Sequence, residues 1–288
     1  MKLYKVGDSI KGAVVLTNKI ERVFVIGLDG AGNFIKDTNT PNIHQLLKKG
    51  VLTYSGQASY PTISAECWGS ILHGVVPEKH GLNNDLIAAE IYPEYSPYPS
   101  FFKVIKDAWP DCKLAAFSEW EPINYGIIEQ STLHQAVSKP DEELVHAAAA
   151  YIRENPDLKA MFVQIDTPDA AGHQYGYGTK AYLDSITKTD GFVGVIIEAI
   201  KDAGLLDSSL IITTSDHGGG GDHHYSHGSD HPQDMTIFWG CHGPEINPKS
   251  QLEEGFKNMN TAAIVLHALG LAIPEQYDAK IPDGLFLE

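Results

Sequence analysis

The sequence predicts an α/β protein built on an open, mostly parallel sheet, and three stretches carry that prediction. Residues 22–29 (RVFVIGLD), 159–166 (KAMFVQID) and 209–216 (SLIITTSD) are largely apolar or β-branched runs, as strands covered on both faces require. Each run stops at an acid. Strand exits are where open α/β sheets assemble active sites, so an acid at three of them is a functional signal as well as a structural one.

The elements follow in order. After the first strand, residues 40–50 (TPNIHQLLKKG) read as a helix with Thr40 as cap, Pro41 in the first turn and Gly50 as terminator, which completes a βα unit. Residues 64–73 follow the Tyr60-Pro61-Thr62 turn and form a short helix with Ser64 near its cap, closed by Gly74 and Pro77. Between 84 and 130 the periodicity weakens through PEYSPYPS and SEWEPINYG. That segment is expected to be a partly irregular excursion over the active site, so that residues 1–288 make a single catalytic domain. Residues 141–153 (DEELVHAAAAYIR) predict a helix, with acids in the first turn, alanines in the middle and Arg153 in the last. Residues 179–203 predict a long helix with Tyr182, Ile186, Val193, Ile196 and Ile200 on its apolar face, and residues 259–269 a final helix at the end of the sheet.

Composition narrows the function. The 288 residues carry 37 acids against 21 Lys plus Arg, a formal charge of −16, which argues against nucleic-acid polymers and anionic membrane surfaces as partners. A small anionic substrate held through metals remains compatible with that charge. No apolar stretch reaches the roughly 20 residues a bilayer span needs. The N-terminal segment has lysines on both sides of a short Val/Leu stretch and lacks a signal peptide's uninterrupted apolar core. Three widely spaced cysteines, Cys67, Cys112 and Cys241, form no disulfide framework, so a reducing, cytoplasmic location is expected. Arg22 and Arg153 are the only arginines, and neither lies in a candidate catalytic loop, which argues against a guanidinium clamp on phosphate or sulfate.

Six of the 13 histidines fall between His217 and His242, around the Gly218–Gly221 run and among acids, a pattern that suits metal binding. Asp216 and His217 stand out because they directly follow a buried strand, whereas His223, His224 and His231 read equally well as surface imidazoles. Asp169 and His173 are spaced four apart, so on a helix they share a face and can hold one ion. With Asp29, these residues bring imidazole and carboxylate to three strand ends, a set that suits Zn²⁺ or Mn²⁺ and is large enough for two ions. Ser64 is the nucleophile candidate: it opens a short helix, where free amides favour an anion, and metal coordination would activate its hydroxyl.

Four motifs together resemble the alkaline phosphatase superfamily, in its type I phosphodiesterase and nucleotide pyrophosphatase branch: VIGLDG with TPNIHQLLKKG, YPTISAECWGSILHGVVPEKHGL, DTPDAAGHQYG, and TTSDHGGGGDHHYSHG. The match runs from about residue 22 to 245. It implies a three-layer αβα core and two divalent ions, usually zinc. By motif match, Asp29, Ser64, Asp216 and His217 would surround one ion, and Asp169, His173 and His227 the other, with His223 and His224 as alternatives to His227. The implied reaction is in-line attack by Ser64 on phosphorus, a phosphoseryl intermediate and hydrolysis by water. Serine stands where threonine is commoner. Cys67 stands where an asparagine often contacts phosphate, so Asn83 or Asn84 is expected to share substrate binding with it.

The resemblance thus implies a metal-dependent hydrolase of phosphodiester or pyrophosphate bonds in small molecules. Two rivals differ from it: a phosphonate hydrolase or other phospho-transfer enzyme with the same ions, and a non-enzymatic member that binds a metal or ligand. Ser64 is followed by Ala-Glu-Cys-Trp, not the Pro-x-Arg of a sulfatase, which disfavours that branch.

Overall fold

Alternation along β1 (Arg22–Leu28) sends Val23 and Val25 to one face and Phe24, Ile26 and Leu28 to the other, and every residue of the strand is buried. Such a strand needs cover on both sides, which a central position between helical layers supplies. The structure, a computed structural model, describes residues 19–287; residues 1–18 of the N-terminal segment considered above lie outside the described residues.

The remaining strands are β2 (Val51–Gln57), β3 (Lys113–Ser118), β4 (Gln135–Val137), β5 (Leu158–Ile165), β6 (Ser209–Thr214) and β7 (Thr236–His242), arranged β2-β7-β6-β1-β5-β3-β4. β1 pairs in parallel with β5 and β6, and β3 with β4 and β5. β7 alone is reversed, antiparallel to both β6 and β2. The sheet is therefore mostly parallel.

Helices cover both faces. Ser64–His73, Phe101–Ala108 and Asn260–Ala268 bring Trp68, Phe102 and Ile264 onto the Val23/Val25 face. Pro41–Leu47, Asp141–Glu154 and Lys180–Asp202 bring Ile43, Leu144 and Val193 onto the Phe24/Ile26 face. The result is a three-layer αβα sandwich with a core on each side of the sheet. No helix among the described residues is long and apolar enough to cross a membrane.

Locally, the structure differs from expectation at Thr40 and in the 84–130 segment and agrees at Ser64. Thr40 precedes its helix without capping it, because its hydroxyl is engaged by Ile35 O and His44 Nδ1. The helix over residues 64–73 forms with Ser64 beside its cap as expected: Ser64 is the first helical residue, the N-cap position belongs to Ile63, and the Ser64 hydroxyl makes no capping bond. The 84–130 segment is more than an excursion: it supplies β3 to the sheet, and Phe101, Phe102 and Ile105 to the core. Its pattern is weak in sequence because β3 (KLAAFS) is short and carries two alanines, so little apolar bulk marks it.

Candidate active site

The site sits where β1, β6 and their neighbours end. The Asp29 amide still donates to Ile165 O, 2.9 Å, extending the ladder by one residue, and Gly30 then turns the chain at φ 61°. A Cβ on Gly30 would lie 2.3 Å from Asp169 Oδ1, so glycine there also lets the two acidic segments approach. Asp29 Oδ2 accepts from Trp68 Nε1 at 2.8 Å and Gln164 Nε2 at 2.9 Å. Its Oδ1 is buried with no partner.

At the end of β6, Asp216 Oδ1 accepts from the Gly30 amide at 3.1 Å while Oδ2 is likewise buried and unpartnered. Next to it His217 is fully buried and donates Nδ1–H to Gly218 O at 2.8 Å, which leaves the Nε2 lone pair facing inward. That Nε2 lies 3.2 Å from Ser64 Oγ, 3.3 Å from Asp216 Oδ2 and 3.5 Å from Asp29 Oδ1. Four residues from three segments distant in sequence thus converge on one point.

The helix Thr167–Tyr175 carries Asp169 and His173 one turn apart, and its start is seated by the Asp141 carboxylate, which accepts from the amides of Asp166 and Thr167. His173 Nε2 lies 3.2 Å from both Asp169 Oδ2 and His227 Nε2. His227 Nε2 is 3.7 Å from Asp169 Oδ1. His173 donates Nδ1–H to Tyr225 O and His227 donates Nδ1–H to Thr62 O, at 2.8 and 2.6 Å, so both rings aim Nε2 at the same place. His217 also stands within ligand range of Asp169 and His227, so the two donor sets adjoin.

Crowded acids dominate the electrostatics. Burial, then the Asp169 charge, pushes Asp29 up to about 6, and burial with the Asp29 charge pushes Asp216 well above the carboxylate range. Burial also drives Asp169 upward, but hydrogen bonding from His173 and the charges of His217 and His227 more than offset it and hold it low. The Asp169 hydrogen bond in turn raises His173 to about 9, while burial and His217 lower His227 to about 4. Asp166, at the exit of β5, is pushed up to about 8 by burial and by Asp29 and Asp169. Asp166 belongs to neither set. Such an excess of buried negative charge calls for cations.

Donor separations test whether ions fit. Four ligands about 2.0–2.2 Å from a tetrahedral ion stand roughly 3.3–3.6 Å from one another. The distances of 3.2 to 3.5 Å around His217 Nε2, and of 3.2 Å from His173 Nε2 to both Asp169 Oδ2 and His227 Nε2, lie close to that edge. The two unpartnered carboxylate oxygens, on Asp29 and Asp216, are the atoms a cation would satisfy. The residues present therefore fit divalent metals.

The other site residues expected from the sequence fall as follows. Asn84 Oδ1 accepts from the amide of Ala65, the residue after Ser64, at 3.0 Å. Asn83 instead caps its own helix, accepting from Leu86 N. The Cys67 thiol, fully buried beside Ala58 and Ile237, donates to Ser59 O at 3.3 Å, so it is closed off from a ligand arriving from solvent. His231 caps the helix Pro232–Met235 through Gln233 N, and the exposed His223 and His224 join neither donor set. Of the aromatic residues in 84–130, Tyr92 is buried in the core and Tyr98, Trp109 and Trp120 pack against it, while Tyr95 is exposed.

Sequence reasoning missed Trp68, Gln164 and Tyr177. Trp68 lies one helical turn after Ser64, and Gln164 is a lone amide inside an otherwise apolar strand, a signal that was legible.

A family model described as type I phosphodiesterase / nucleotide pyrophosphatase matches residues 23–99 and 89–280. Human ectonucleotide pyrophosphatase/phosphodiesterase family member 1 is 26% identical over 182 residues, covering 57% of this chain and 20% of its own length. Human bis(5'-adenosyl)-triphosphatase ENPP4 is 24% identical over 207 residues, 66% of this chain and 46% of its own. The chain thus spans about a fifth and just under half of these two relatives. An inactive variant of murine ectonucleotide pyrophosphatase / phosphodiesterase 5, solved in complex with AMP, superposes with a TM-score of 0.73 at 16% identity, covering 93% of this chain and 100% of that one. A 2-O GAG sulfatase superposes with a TM-score of 0.74 at 12% identity, covering 91% and 73%. These structural likenesses reflect a shared fold. With the family model matching most of its length, the chain belongs to the type I phosphodiesterase / nucleotide pyrophosphatase family.

Proposed function

We propose that the chain is a metal-dependent hydrolase of phosphodiester or pyrophosphate bonds in small phosphate esters, with Ser64 as nucleophile and two divalent ions, zinc in the first instance, as cofactors. The observation that carries this reading is the convergence of Ser64 Oγ, Asp29, Asp216 and His217 at tetrahedral-edge spacing. Asp29, Ser64, Asp216 and His217 would hold one ion, and Asp169, His173 and His227 the other. Bound there, the ions supply positive charge that favours the Ser64 alkoxide and offsets charge on the phosphoryl oxygens.

Within this reading, Ser64 Oγ attacks phosphorus in line, forming an oxygen–phosphorus bond as the bond to the leaving alcohol or phosphate breaks. Water then displaces the seryl oxygen from the phosphoserine and regenerates the hydroxyl. Asn84 Oδ1 is committed to the Ala65 amide, and the side chain of this exposed residue would donate through Nδ2 to a phosphoryl oxygen. The AMP complex of the murine structural neighbour supports nucleotides as the first substrates to try. The three cysteines, unpaired in the structure, support a cytoplasmic location within the same proposal.

The test pairs elemental analysis with steady-state assays on a nitrophenyl phosphodiester, a dinucleotide and a phosphonate panel. Two equivalents of transition metal with turnover of the diester or dinucleotide are expected. Turnover of the phosphonate alone, or protein that binds no metal and turns over nothing, would overturn the proposal.

A further inference from the structure

Tyr177 lies two residues beyond the helix that carries Asp169 and His173, and its ring is 1% exposed. Its hydroxyl donates to Asp169 Oδ1 at 2.5 Å. The other carboxylate oxygen, Oδ2, is the one beside His173 Nε2. One oxygen of Asp169, Oδ1, is thereby held by a protein donor, with His227 Nε2 3.7 Å away, and the other, Oδ2, faces His173.

The slot for this ring is built from two directions. A Cβ on Gly172, in the same helix, and one on Gly219, in the loop after β6, would each fall 2.4 Å from Tyr177 Cε1. Two glycines on separate segments therefore admit an aromatic ring that any other residue at either position would displace. The ring also meets His173 and His227 nearly edge-on, at interplanar angles of 78° and centroid distances of 5.8 and 6.2 Å. It thus bonds Asp169 and flanks both imidazoles of the second donor set, whose own orientation comes from their Nδ1–H bonds to Tyr225 O and Thr62 O.

We propose that Tyr177 is a positioning residue: by holding Asp169 Oδ1, it restricts that carboxylate to a single ligand oxygen and keeps the Asp169/His173/His227 set suited to a four-coordinate ion with one open position. This rests on the metal-dependent reading above. A carboxylate free to offer both oxygens would raise the coordination number and favour ions that prefer more oxygen ligands, whereas a carboxylate fixed by an outer hydrogen bond keeps the low-coordinate geometry of catalytic zinc. The neighbouring Tyr182 has no such role, since its hydroxyl donates to Gly30 O at 2.7 Å.

The test uses the metal-free protein and cobalt(II), whose visible absorption is strong in four-coordinate sites and weak in six-coordinate ones. Wild-type protein is expected to bind two ions, with intense visible bands from the second set. Tyr177→Phe keeps the ring and removes only the hydroxyl. It is expected to weaken cobalt and zinc at that set by about 10- to 100-fold and to lose band intensity there, with affinity at the Asp29/Asp216/His217 set unchanged. Tyr182→Phe, which removes an equally buried hydroxyl from the adjoining ring, is expected to keep both affinities and the spectrum. Unchanged affinity and spectrum in Tyr177→Phe, or equal weakening in both variants, would overturn the inference. Wild-type protein that binds no ion would instead overturn the metal-dependent reading itself.

Discussion

His217 and His227 lie face to face, with ring centroids 3.8 Å apart and planes within 18°. Each ring anchors a different donor set, yet each is oriented by the same device, an Nδ1–H given to a backbone carbonyl. Two stacked imidazolium ions would repel, and burial with the His217 charge holds His227 down to about 4. His227 is therefore neutral at ordinary pH and can offer Nε2 without first losing a proton.

His173 behaves oppositely. Raised to about 9 by its hydrogen bond with Asp169 in the metal-free protein, it carries a proton that an incoming ion must displace. The sign follows: below about pH 9, lowering the pH weakens the second ion by up to tenfold per unit, and above it this dependence vanishes. Zinc titrations of wild type and His173→Gln across that range check this. The variant is expected to bind more weakly and to lose about one proton's worth of slope; an unchanged slope would contradict the assignment.

Ser64→Ala removes the nucleophile while Asp29, Asp216 and His217 remain. Turnover of a nitrophenyl phosphodiester is expected to fall by more than about 1,000-fold, with metal content preserved. Retention of wild-type rate would mean that another group attacks phosphorus.

His227→Ala and His223→Ala separate a donor from a neighbour. The first is expected to reduce tightly held metal from two equivalents to one. The second leaves both in place, since His223 is exposed and joins neither set. Calorimetric titration of the two variants side by side distinguishes them.

Gly27 lies in β1 with Trp68 pressed against it: a Cβ there would be 2.1 Å from Trp68 Cη2. Gly27→Ala is expected to cost about 1–3 kcal/mol of stability in urea unfolding. It should also shift tryptophan emission, because the indole that donates to Asp29 must move. Stability within error of wild type would show that the ring relocates freely.

The sheet's centre was legible in sequence because β1, β5 and β6 are long buried runs that each deliver an acid. β3 was not, its alanines carrying too little bulk, and the reversed β7 was hidden because direction is set by pairing with β6 and β2. Asp29, Asp216 and His217 were legible as strand-exit residues, while His227 was separated from His223 and His224 by motif resemblance alone. Tyr177 was invisible for another reason: its value comes from a hollow made by Gly172 and Gly219, residues that meet only in the folded chain.

β6, β1 and β5 are neighbours at the middle of the sheet, and Asp216, His217, Asp29 and, one helical turn on, Asp169 hang from their ends. The amides of these central strands are expected to be the last to open in hydrogen exchange, while β4 lies at an edge that can fray first. Partial opening of that edge therefore leaves these four donors assembled. Dispersing them requires opening the centre of the sheet, so the donor geometry outlasts local fraying and is preserved whether or not ions are bound.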